Sequence, residues 1–191
     1  MKKLLRLSAL ILSLFLMITL FSACDKTEPG RGKNRDPQSG ISIIVGDEKV
    51  KPHSELRYIQ SYDEERNQGS SADGIAMFQS PDEYFMKNED KIPAVNSQDV
   101  SIDLTSKGKL KKVEIYYRTD ILEISLYDLK KTITLGETDI FADAEKAFAA
   151  LSSERTYYIA LYVDYDGDII ETGKGPFYEG SGYTYYFKIV L

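Results

Sequence analysis

The sequence predicts a mainly β domain, built as an antiparallel sandwich with one short helix. From Ile41 onwards, short runs alternate apolar and polar side chains and follow one another at intervals of roughly 8–12 residues. This pattern is typical of antiparallel sheets that pack one face inward and expose the other. Residues 139–152 break the alternation with a helical spacing of apolar side chains. The apolar positions of residues 41–191 suffice for one hydrophobic core, so we expect a single sandwich domain there.

The first part of this domain carries the weaker signals. Ile41–Val45 is a compact apolar run and predicts a strand. The polar residues 63–74 predict a loop, and the apolar Ile75–Phe78 predicts a short strand after it. For Ser80–Lys91 we expect a loop or one helical turn, because the segment opens with Ser-Pro-Asp.

The second part alternates more regularly. Val113, Ile115 and Tyr117 define the apolar face of one strand. The strongest strand patterns are Thr156–Tyr165 and Tyr183–Leu191, in which every second residue is large and apolar. We expect these two strands to lie centrally in a sheet or to pair with each other.

The helix is predicted for residues 139–152. Its apolar side chains fall on one side of a helix with 3.6 residues per turn. They are Ile140, Ala144, Ala147, Phe148 and Leu151. Thr138 or Asp139 is suited to cap the first turn, because a short polar side chain there accepts hydrogen bonds from free backbone N–H groups.

The spacing of Leu151, Tyr157 and Ile159 resembles the end of the E–F crossover in fibronectin type III and other immunoglobulin-like sandwiches. In those domains the tyrosine is a tyrosine corner, whose hydroxyl is tied to backbone upstream. The resemblance implies that Thr156–Tyr165 is strand F and Tyr183–Leu191 is strand G. It thus implies an antiparallel immunoglobulin-like sandwich with the helix in a crossover, and another antiparallel β fold with one helix is the alternative. An antibody-type domain is excluded, since the chain has no Trp and no cysteine pair.

The N-terminus has the anatomy of an export signal. Lys2, Lys3 and Arg6 are followed by Leu7–Phe21, a run without charge. An uncleaved membrane anchor is one alternative, although the run is near the lower length limit for a span. Ordinary secretion with cleavage after residue 23 is another, but the bulky Phe21 occupies a position where such cleavage prefers a small residue.

Residues 22–24, Ser-Ala-Cys, resemble the lipobox of bacterial lipoproteins, in which Leu more often stands where this chain has Phe21. The resemblance implies a signal peptide of residues 1–23 and a diacylglycerol-modified sulfur on Cys24. Cys24 is the only cysteine, so an exported domain has no disulfide to form. We therefore expect a membrane anchor through lipid on Cys24, on the extracytoplasmic face of the cell envelope.

Residues 24–40 would then form the lipidated cysteine and a flexible tether, because residues 25–40 are rich in Pro, Gly and charge. A tether of this length has a root-mean-square span of about 20–25 Å. Removal of residues 1–23 takes away three basic and no acidic side chains, so the net charge falls from −6 to −9. Such an acidic chain repels nucleic acid, which we do not expect as a partner.

No set of residues predicts catalysis or a cofactor. His53 is the only histidine, and neither a G-x-S-x-G nor an H-E-x-x-H motif occurs. Asp164, Asp166 and Asp168 stand in the run DYDGD, which predicts a two-residue hairpin turn at Asp-Gly. A weak calcium site formed by these carboxylates is the alternative, although the spacing is not that of an EF-hand. We expect a protein that is not an enzyme and has no resident metal.

Aromatic side chains are the candidate ligand contacts. The glycine-rich run ETGKGPFYEGSG predicts a long loop between strands F and G that displays Phe177 and Tyr178. Tyr158, Tyr162 and Tyr186 fall on the outer faces of their predicted strands, where exposed rings would stack on a ligand. The expected ligand is a protein, peptide or glycan. The alternatives are a cell-envelope hydrolase that uses paired carboxylates and a structural or inhibitory subunit of an envelope complex.

Overall fold

The computed structural model describes residues 41–104, 108–121, 124–137, 139–153 and 155–191, all within one compact unit of residues 36–191. The fold is mainly β with antiparallel sheets and short helices, which confirms the predicted class. The described strands are β1 (Ile41–Val45), β2 (Glu48–Val50), β3 (His53–Asp63), β4 (Gln68–Asp73), β5 (Ala94–Val95), β6 (Val100–Leu104), β7 (Gly108–Ile121), β8 (Ile124–Thr134), β9 (Thr156–Thr172) and β10 (Gly175–Val190). The described helices are α1 (Ile75–Phe78), α2 (Pro81–Asn88), a 3₁₀ turn (Glu89–Lys91) and α3 (Ile140–Ala149).

Two sheets carry the fold. The small sheet has the strand order β2-β1-β6, and the large sheet has the order β4-β3-β10-β9-β7-β8. All these pairs are antiparallel, and the short β5 joins β10 in parallel beyond the end of β3. Strands β9 and β10 pair along nearly their whole length, from Thr156 opposite Val190 to Thr172 opposite Gly175. The prediction that the two strongest strands pair with each other is therefore confirmed.

The main hydrophobic core lies on one face of the large sheet, beneath the small sheet and α3. Strands β7, β9 and β10 contribute the sheet side of this core, and Ile159 and Leu161 at its centre are fully buried. Ile41 and Ile43 reach it from β1, and Phe148 reaches it from α3. The apolar stripe that predicted the helix is thus the face that α3 buries.

Helix α3 is confirmed within its predicted range. Asp139 caps it, because one carboxylate oxygen accepts hydrogen bonds from the backbone N–H groups of Phe141 (3.1 Å) and Ala142 (3.3 Å). Thr138, the other predicted cap, lies outside the described residues. The helix occupies the connection between β8 and β9.

The strand that follows begins with a tyrosine corner. The Tyr157 hydroxyl lies 2.7 Å from Ser152 Oγ and donates to the Ser152 carbonyl oxygen at 3.4 Å. This is the upstream contact that the resemblance to immunoglobulin-like sandwiches implied. The neighbours β10, β9, β7 and β8 have the order that strands G, F, C and C′ have in such domains, but the helix connects β8 directly to β9, so the described residues contain no strand E before it. The hairpin of β3 and β4 extends the same sheet beyond strand G.

The opposite face of the large sheet is also covered, which the sequence did not predict. Helix α2 packs there and inserts Phe85, whose ring centroid lies between 5.2 and 5.6 Å from four tyrosine rings. Those four are Tyr116, Tyr127, Tyr158 and Tyr186. Tyr84 stacks on Tyr186 at 4.0 Å. The expectation of one solvent-exposed face is therefore wrong for the middle of this sheet, which is the central layer of three.

Three of the predicted local structures are wrong in the first part of the domain. Residues 68–73 form strand β4 where a loop was expected, because its backbone pairs with β3 at the sheet edge although all six side chains stay exposed. Ile75–Phe78 is a helical turn rather than a strand. Ser80–Lys91 contains two helical turns and a 3₁₀ turn, since Pro81 begins a helix whose burial comes from tertiary contacts.

The predicted hairpin turn at Asp166-Gly167 is also wrong. Strand β9 continues through it, and the chain reverses at Gly173 and Lys174. Gly167 instead belongs to a β-bulge, where the register shifts between Tyr178 and Gly180. A Cβ atom on Gly167 would lie 2.7 Å from the Cβ of Glu179, so the close approach of the two strands requires glycine.

The contacts of α2 predict a large cost for truncating Phe85. Phe85→Ala should lower the free energy of unfolding by about 3–5 kcal/mol, because a fully buried ring leaves a cavity that the neighbouring tyrosines fill only in part. Met86→Ala, the exposed neighbour in the same helix, is the control and should change it by less than about 0.5 kcal/mol. Urea unfolding followed by circular dichroism measures both. Equal effects of the two substitutions would contradict the burial of Phe85 beneath the tyrosines.

Candidate ligand-binding groove

Three of the predicted ligand contacts lie in the interior. Tyr158, Tyr162 and Tyr186 do share one face of the large sheet, as their spacing indicated. However, Tyr158 and Tyr186 are each only 1% exposed, and Tyr162 is partly buried against the same cluster. The expectation of an exposed tyrosine face is therefore wrong, and the reason is helix α2, which covers these rings.

The two predicted loop aromatics lie on a strand instead of a loop. Phe177 and Tyr178 are neighbours in β10, so their side chains point to opposite faces of the sheet. The Phe177 ring lies over Gly69 and 5.3 Å from the Tyr62 ring, whereas Tyr178 is 60% exposed. Tyr178 stands opposite the exposed Ile169 on β9. Among the five residues proposed from the sequence as ligand contacts, only Tyr178 is exposed, whereas Phe177 and Tyr162 are partly buried and the other two are buried.

The aspartates of the DYDGD run face cations of the chain itself. Asp164 forms an ion pair with Arg57 and lies 4.0 Å from Lys111 Nζ. Asp166 forms an ion pair with Lys109. Asp168 follows at the bulge, and no group of three or more His, Cys, Asp or Glu side chains within the described residues is arranged to hold a metal ion.

His53 lies beside a carboxylate at the start of β3. Its Nε2 atom is 3.5 Å from Glu55 Oε1, and its ring lies 5.8 Å from that of Tyr84. The Tyr84 hydroxyl donates to the same Glu55 oxygen at 3.3 Å. The structure thus places the only histidine in a carboxylate–tyrosine contact at the edge of the aromatic cluster.

A second carboxylate of this kind, Glu89, was missed by the sequence analysis. The hydroxyls of Tyr127 and Tyr158 donate to its two oxygens at 2.6 Å each. Arg118 donates from Nη1 to both oxygens, at 3.1 and 3.2 Å. Burial alone would raise the pKa of Glu89, but the two phenol hydrogen bonds and the charges of Arg118 and Lys188 outweigh burial and lower it. Glu89 is therefore held as an anion.

A third carboxylate lies deeper in the same layer. Glu114 is 8% exposed, and it accepts hydrogen bonds from the hydroxyls of Tyr162 (2.7 Å) and Tyr116 (3.0 Å). Lys112 Nζ balances its charge at 3.0 Å and lies 4.0 Å above the Tyr162 ring. Burial and the hydrogen bond to Glu114 raise the pKa of Tyr162 far above its ordinary value. These phenols are consequently donors and remain neutral.

Next to Glu89, the large sheet carries a groove of about 620 Å³. It lies on the face that α2 covers. Thr156 and Tyr158 both line the groove, and because they are two positions apart in β9 they share the face on which Tyr158 packs beneath α2. Its lining is mostly polar and combines three cations, one carboxylate and three hydroxyls with two small apolar side chains. The lining residues are Arg118, Arg155, Lys188, Glu89, Thr119, Thr156, Tyr158, Ala94 and Val190.

The cations of the groove differ in their partners. Arg118 is engaged by Glu89 and by Ser125, which accepts from its Nε and Nη2 atoms at 3.1 and 2.6 Å. Lys188 Nζ donates to the main-chain oxygen of Glu89 at 3.0 Å. The Arg155 guanidinium lies 5.4 Å from the centroid of the Tyr117 ring, which packs against the main core on the opposite face of the sheet. The groove therefore carries a local excess of positive charge on an acidic chain.

Sequence patterns do not indicate this groove, because its residues come from distant segments. Arg118, Arg155 and Lys188 are separated by dozens of positions and read individually as solvent-exposed strand residues. The pairing of Tyr158 with both Tyr116 and Lys188 brings β7, β9 and β10 together. The groove could be found only from the register of β9 with its two neighbours, β7 and β10, because that register decides which side chains lie side by side.

No family model, no curated protein and no solved structure matches the chain. The part of the chain that the structure describes contains no helix long and apolar enough to cross a membrane. Residues 1–40, with the predicted signal peptide, Cys24 and the tether, lie outside the described residues. Fold and groove together define the class: an antiparallel β-sandwich with a cationic groove on its large sheet.

The lowered pKa of Glu89 predicts a specific acid sensitivity. A carboxylate with a lowered pKa stabilises the fold above its ordinary value of 4.5, and this contribution is lost as the pH falls through the folded-state value. At pH 7 the Glu89→Gln variant should therefore melt below the wild type, and the two melting temperatures should converge as the pH falls below 4.5. Glu83→Gln, an exposed carboxylate on α2, is the control and should show no such convergence. A gap that stays constant from pH 7 to pH 3 would contradict the assigned cause.

Proposed function

We propose that this chain is a membrane-tethered extracytoplasmic lipoprotein whose sandwich domain is a non-enzymatic binding module for an anionic peptide or glycan. The observation that carries the ligand class is the groove lined by Arg118, Arg155 and Lys188. An acidic protein gains nothing in solubility from gathering cations in one cavity, and cations that line a cavity attract anions. Its volume is in the range of small-molecule and oligomer binding sites.

The tether supports the proposed location. The Ser-Ala-Cys sequence before residue 25 has the form of a lipobox, and residues 25–40 have the composition of a flexible linker. Two acyl chains on Cys24 would hold the protein at the membrane, because each buried CH₂ group contributes about 0.8 kcal/mol. A linker spanning about 20–25 Å would keep the groove clear of the lipid headgroups.

The chemistry of the carboxylates supports binding over hydrolysis. A glycosidase of the paired-carboxylate type needs one carboxylic acid with a raised pKa that protonates the leaving group. Glu89, the carboxylate at the groove, has a lowered pKa and is saturated by two phenols and Arg118. It is thus suited to fix the shape and charge of the groove, and not to donate a proton.

The location is tested by substitution of the lipidated residue. Cys24→Ala should abolish the incorporation of labelled palmitate and release the protein from the membrane fraction, because the thiol is the only attachment point for diacylglycerol. Thr27→Ala in the tether is the control and should incorporate palmitate like the wild type. Unchanged membrane association of Cys24→Ala would overturn the proposed anchor.

The ligand class is tested by thermal shift at constant ionic strength. Poly-glutamate and polygalacturonate should raise the melting temperature, whereas neutral dextran should not, because only the former neutralise the groove. Ligand at 100 times its dissociation constant should add about 2.7 kcal/mol of stability. The shift should disappear in the double variant Lys188→Gln/Arg155→Gln.

The matched control for this experiment replaces two cations outside the groove. The control is the double variant Lys174→Gln/Arg66→Gln. Lys174 lies at the turn between β9 and β10, and Arg66 pairs with Asp63 near the turn between β3 and β4. This control variant should keep the wild-type shift. If both double variants lose the shift equally, the binding is due to overall charge, and the groove is not the site. Purification with one stoichiometric protein and no shift by any polyanion would favour a subunit of an envelope complex instead.

A further inference from the structure

The helical turn α1 displays an exposed apolar patch, formed by Ile75, Met77 and Phe78. These three side chains are between 56% and 78% exposed, whereas Ala76 between them is buried. Among the described side chains, no other stretch of four residues contains three large apolar ones that are exposed. Exposed apolar patches of this kind mark surfaces that contact a protein or a membrane.

The turn that carries the α1 patch is attached to strand β3. The Gly74 N–H group donates to the Arg57 carbonyl oxygen at 2.6 Å. A Cβ atom on Gly74 would clash with the Leu56 carbonyl oxygen, so this close approach of α1 to the strand requires glycine. With Ala76 facing inward, the three large side chains are presented to solvent by a backbone that the sheet edge holds in place.

The segment before the described residues is long enough to bring the α1 patch to a membrane. Residues 25–40 join the proposed anchor on Cys24 to Ile41, where β1 begins. Sixteen residues span about 55 Å when fully extended, whereas a compact unit of this size has a diameter of about 40 Å. Every face of the domain can therefore reach the bilayer, and the distribution of apolar side chains decides which face does so.

The charges near α1 favour an apolar contact over an electrostatic one. Asp73 directly precedes Gly74, and Asp82 and Glu83 lie in the first turn of α2. Carboxylates are repelled by anionic headgroups, so charge attraction would not hold this side of the domain at a membrane. The α1 patch instead suits the boundary between headgroups and acyl chains, where apolar side chains of peripheral proteins are buried by about 5–10 Å.

A membrane contact through α1 would leave the groove accessible. Helix α2 crosses the large sheet: Tyr84 in its first half contacts Glu55 on β3, and Glu89, directly after its end, contacts Tyr127 on β8. The α1 patch lies on the β3 side, and the groove lies beside Glu89. The patch and the groove are thus separated by the length of α2, about 12 Å.

We propose that Ile75, Met77 and Phe78 insert into the surface of the bilayer that carries the lipid anchor, so that the domain docks on the membrane through α1. The lipid on Cys24 supplies the affinity, and the α1 patch sets the orientation that keeps the groove away from the lipid. This inference rests on the proposed function, because it requires the anchor, and it adds a second membrane contact made by the protein itself.

The fluorescence of an introduced tryptophan tests the docking, because the chain has no Trp of its own. The lipidated Phe78→Trp variant is reconstituted in phosphatidylcholine vesicles, with or without bromine on the acyl chains, and isolated by flotation. Brominated lipid should quench its emission, since bromine quenches tryptophan on contact. Leu129→Trp is the matched control: Leu129 is also exposed but lies on β8, four strands or about 19 Å across the sheet from β3. Its emission should lie at longer wavelength and stay unquenched.

The neighbours of Phe78 are tested in the Phe78→Trp background. Ile75→Ser/Met77→Ser should abolish the quenching, because it removes the other two apolar side chains that hold α1 in the lipid. The matched pair Leu126→Ser/Leu129→Ser removes two exposed apolar side chains from β8 and should leave the quenching unchanged. All four positions are exposed, so the melting temperature of each variant should stay near that of the wild type.

The outcomes separate the inference from the proposed function. If the proteins float with the vesicles but brominated lipid quenches neither tryptophan, the anchor stands and the docking is refuted. Equal quenching of Phe78→Trp and Leu129→Trp would mean that the domain has no preferred orientation, which also refutes the docking. So would a short-wavelength emission of Phe78→Trp without quenching, because protein, such as a second copy, would then cover the patch. If no palmitate is incorporated and no variant floats, the anchor and the inference are both refuted.

Discussion

The burial of Phe85 against the tyrosines of the large sheet is the contact on which both the second layer and the groove depend. Helix α2 is short, and isolated helices of two turns are unstable in water, so its position follows from this packing. Because the 3₁₀ turn continues directly from α2, seating Phe85 also sets the location of Glu89. The wall of the groove that contains Glu89 is therefore held in place by the packing of Phe85 on the same face of the sheet.

Once the second face of the sheet is covered, its polar atoms need partners. A buried hydroxyl or carboxylate without a hydrogen bond costs several kcal/mol, depending on its surroundings. The chain meets this cost by pairing phenols with carboxylates: Tyr158 with Glu89, and Tyr162 with Glu114. Each carboxylate then receives a cation that limits the penalty of burying charge, as Lys112 does for Glu114. The high tyrosine content that suggested a ligand platform is largely explained by this interior arrangement.

Period-two alternation predicted the central strands well, since Ile159 and Leu161 need only their own strand to be recognised as buried. The tyrosine corner at Tyr157 could likewise be predicted, because its partner Ser152 is local in sequence. The covered second face could not be predicted, because helix α2 has a weak signal of its own and is stabilised by contacts with distant strands. Gly167 was misinterpreted for a related reason: Asp-Gly is compatible with a turn and with a bulge, and only the continued pairing of β9 with β10 decides between them.

The exposure of the groove limits how strongly one copy can hold a ligand. Ion pairs at a protein surface contribute about 0.2–1 kcal/mol each, and salt screens them further. The exposed cations of the groove are therefore suited to weak contacts with anionic groups and not to tight binding of a small anion. The proposed lipid anchor would compensate, since many tethered copies on one membrane present their grooves to the same polymeric anion and raise the effective concentration of each further contact. The proposed tether, a weak cationic groove and a repeating anionic ligand are thus mutually consistent, whereas a single small anion would leave the proposed membrane anchor without a part in binding.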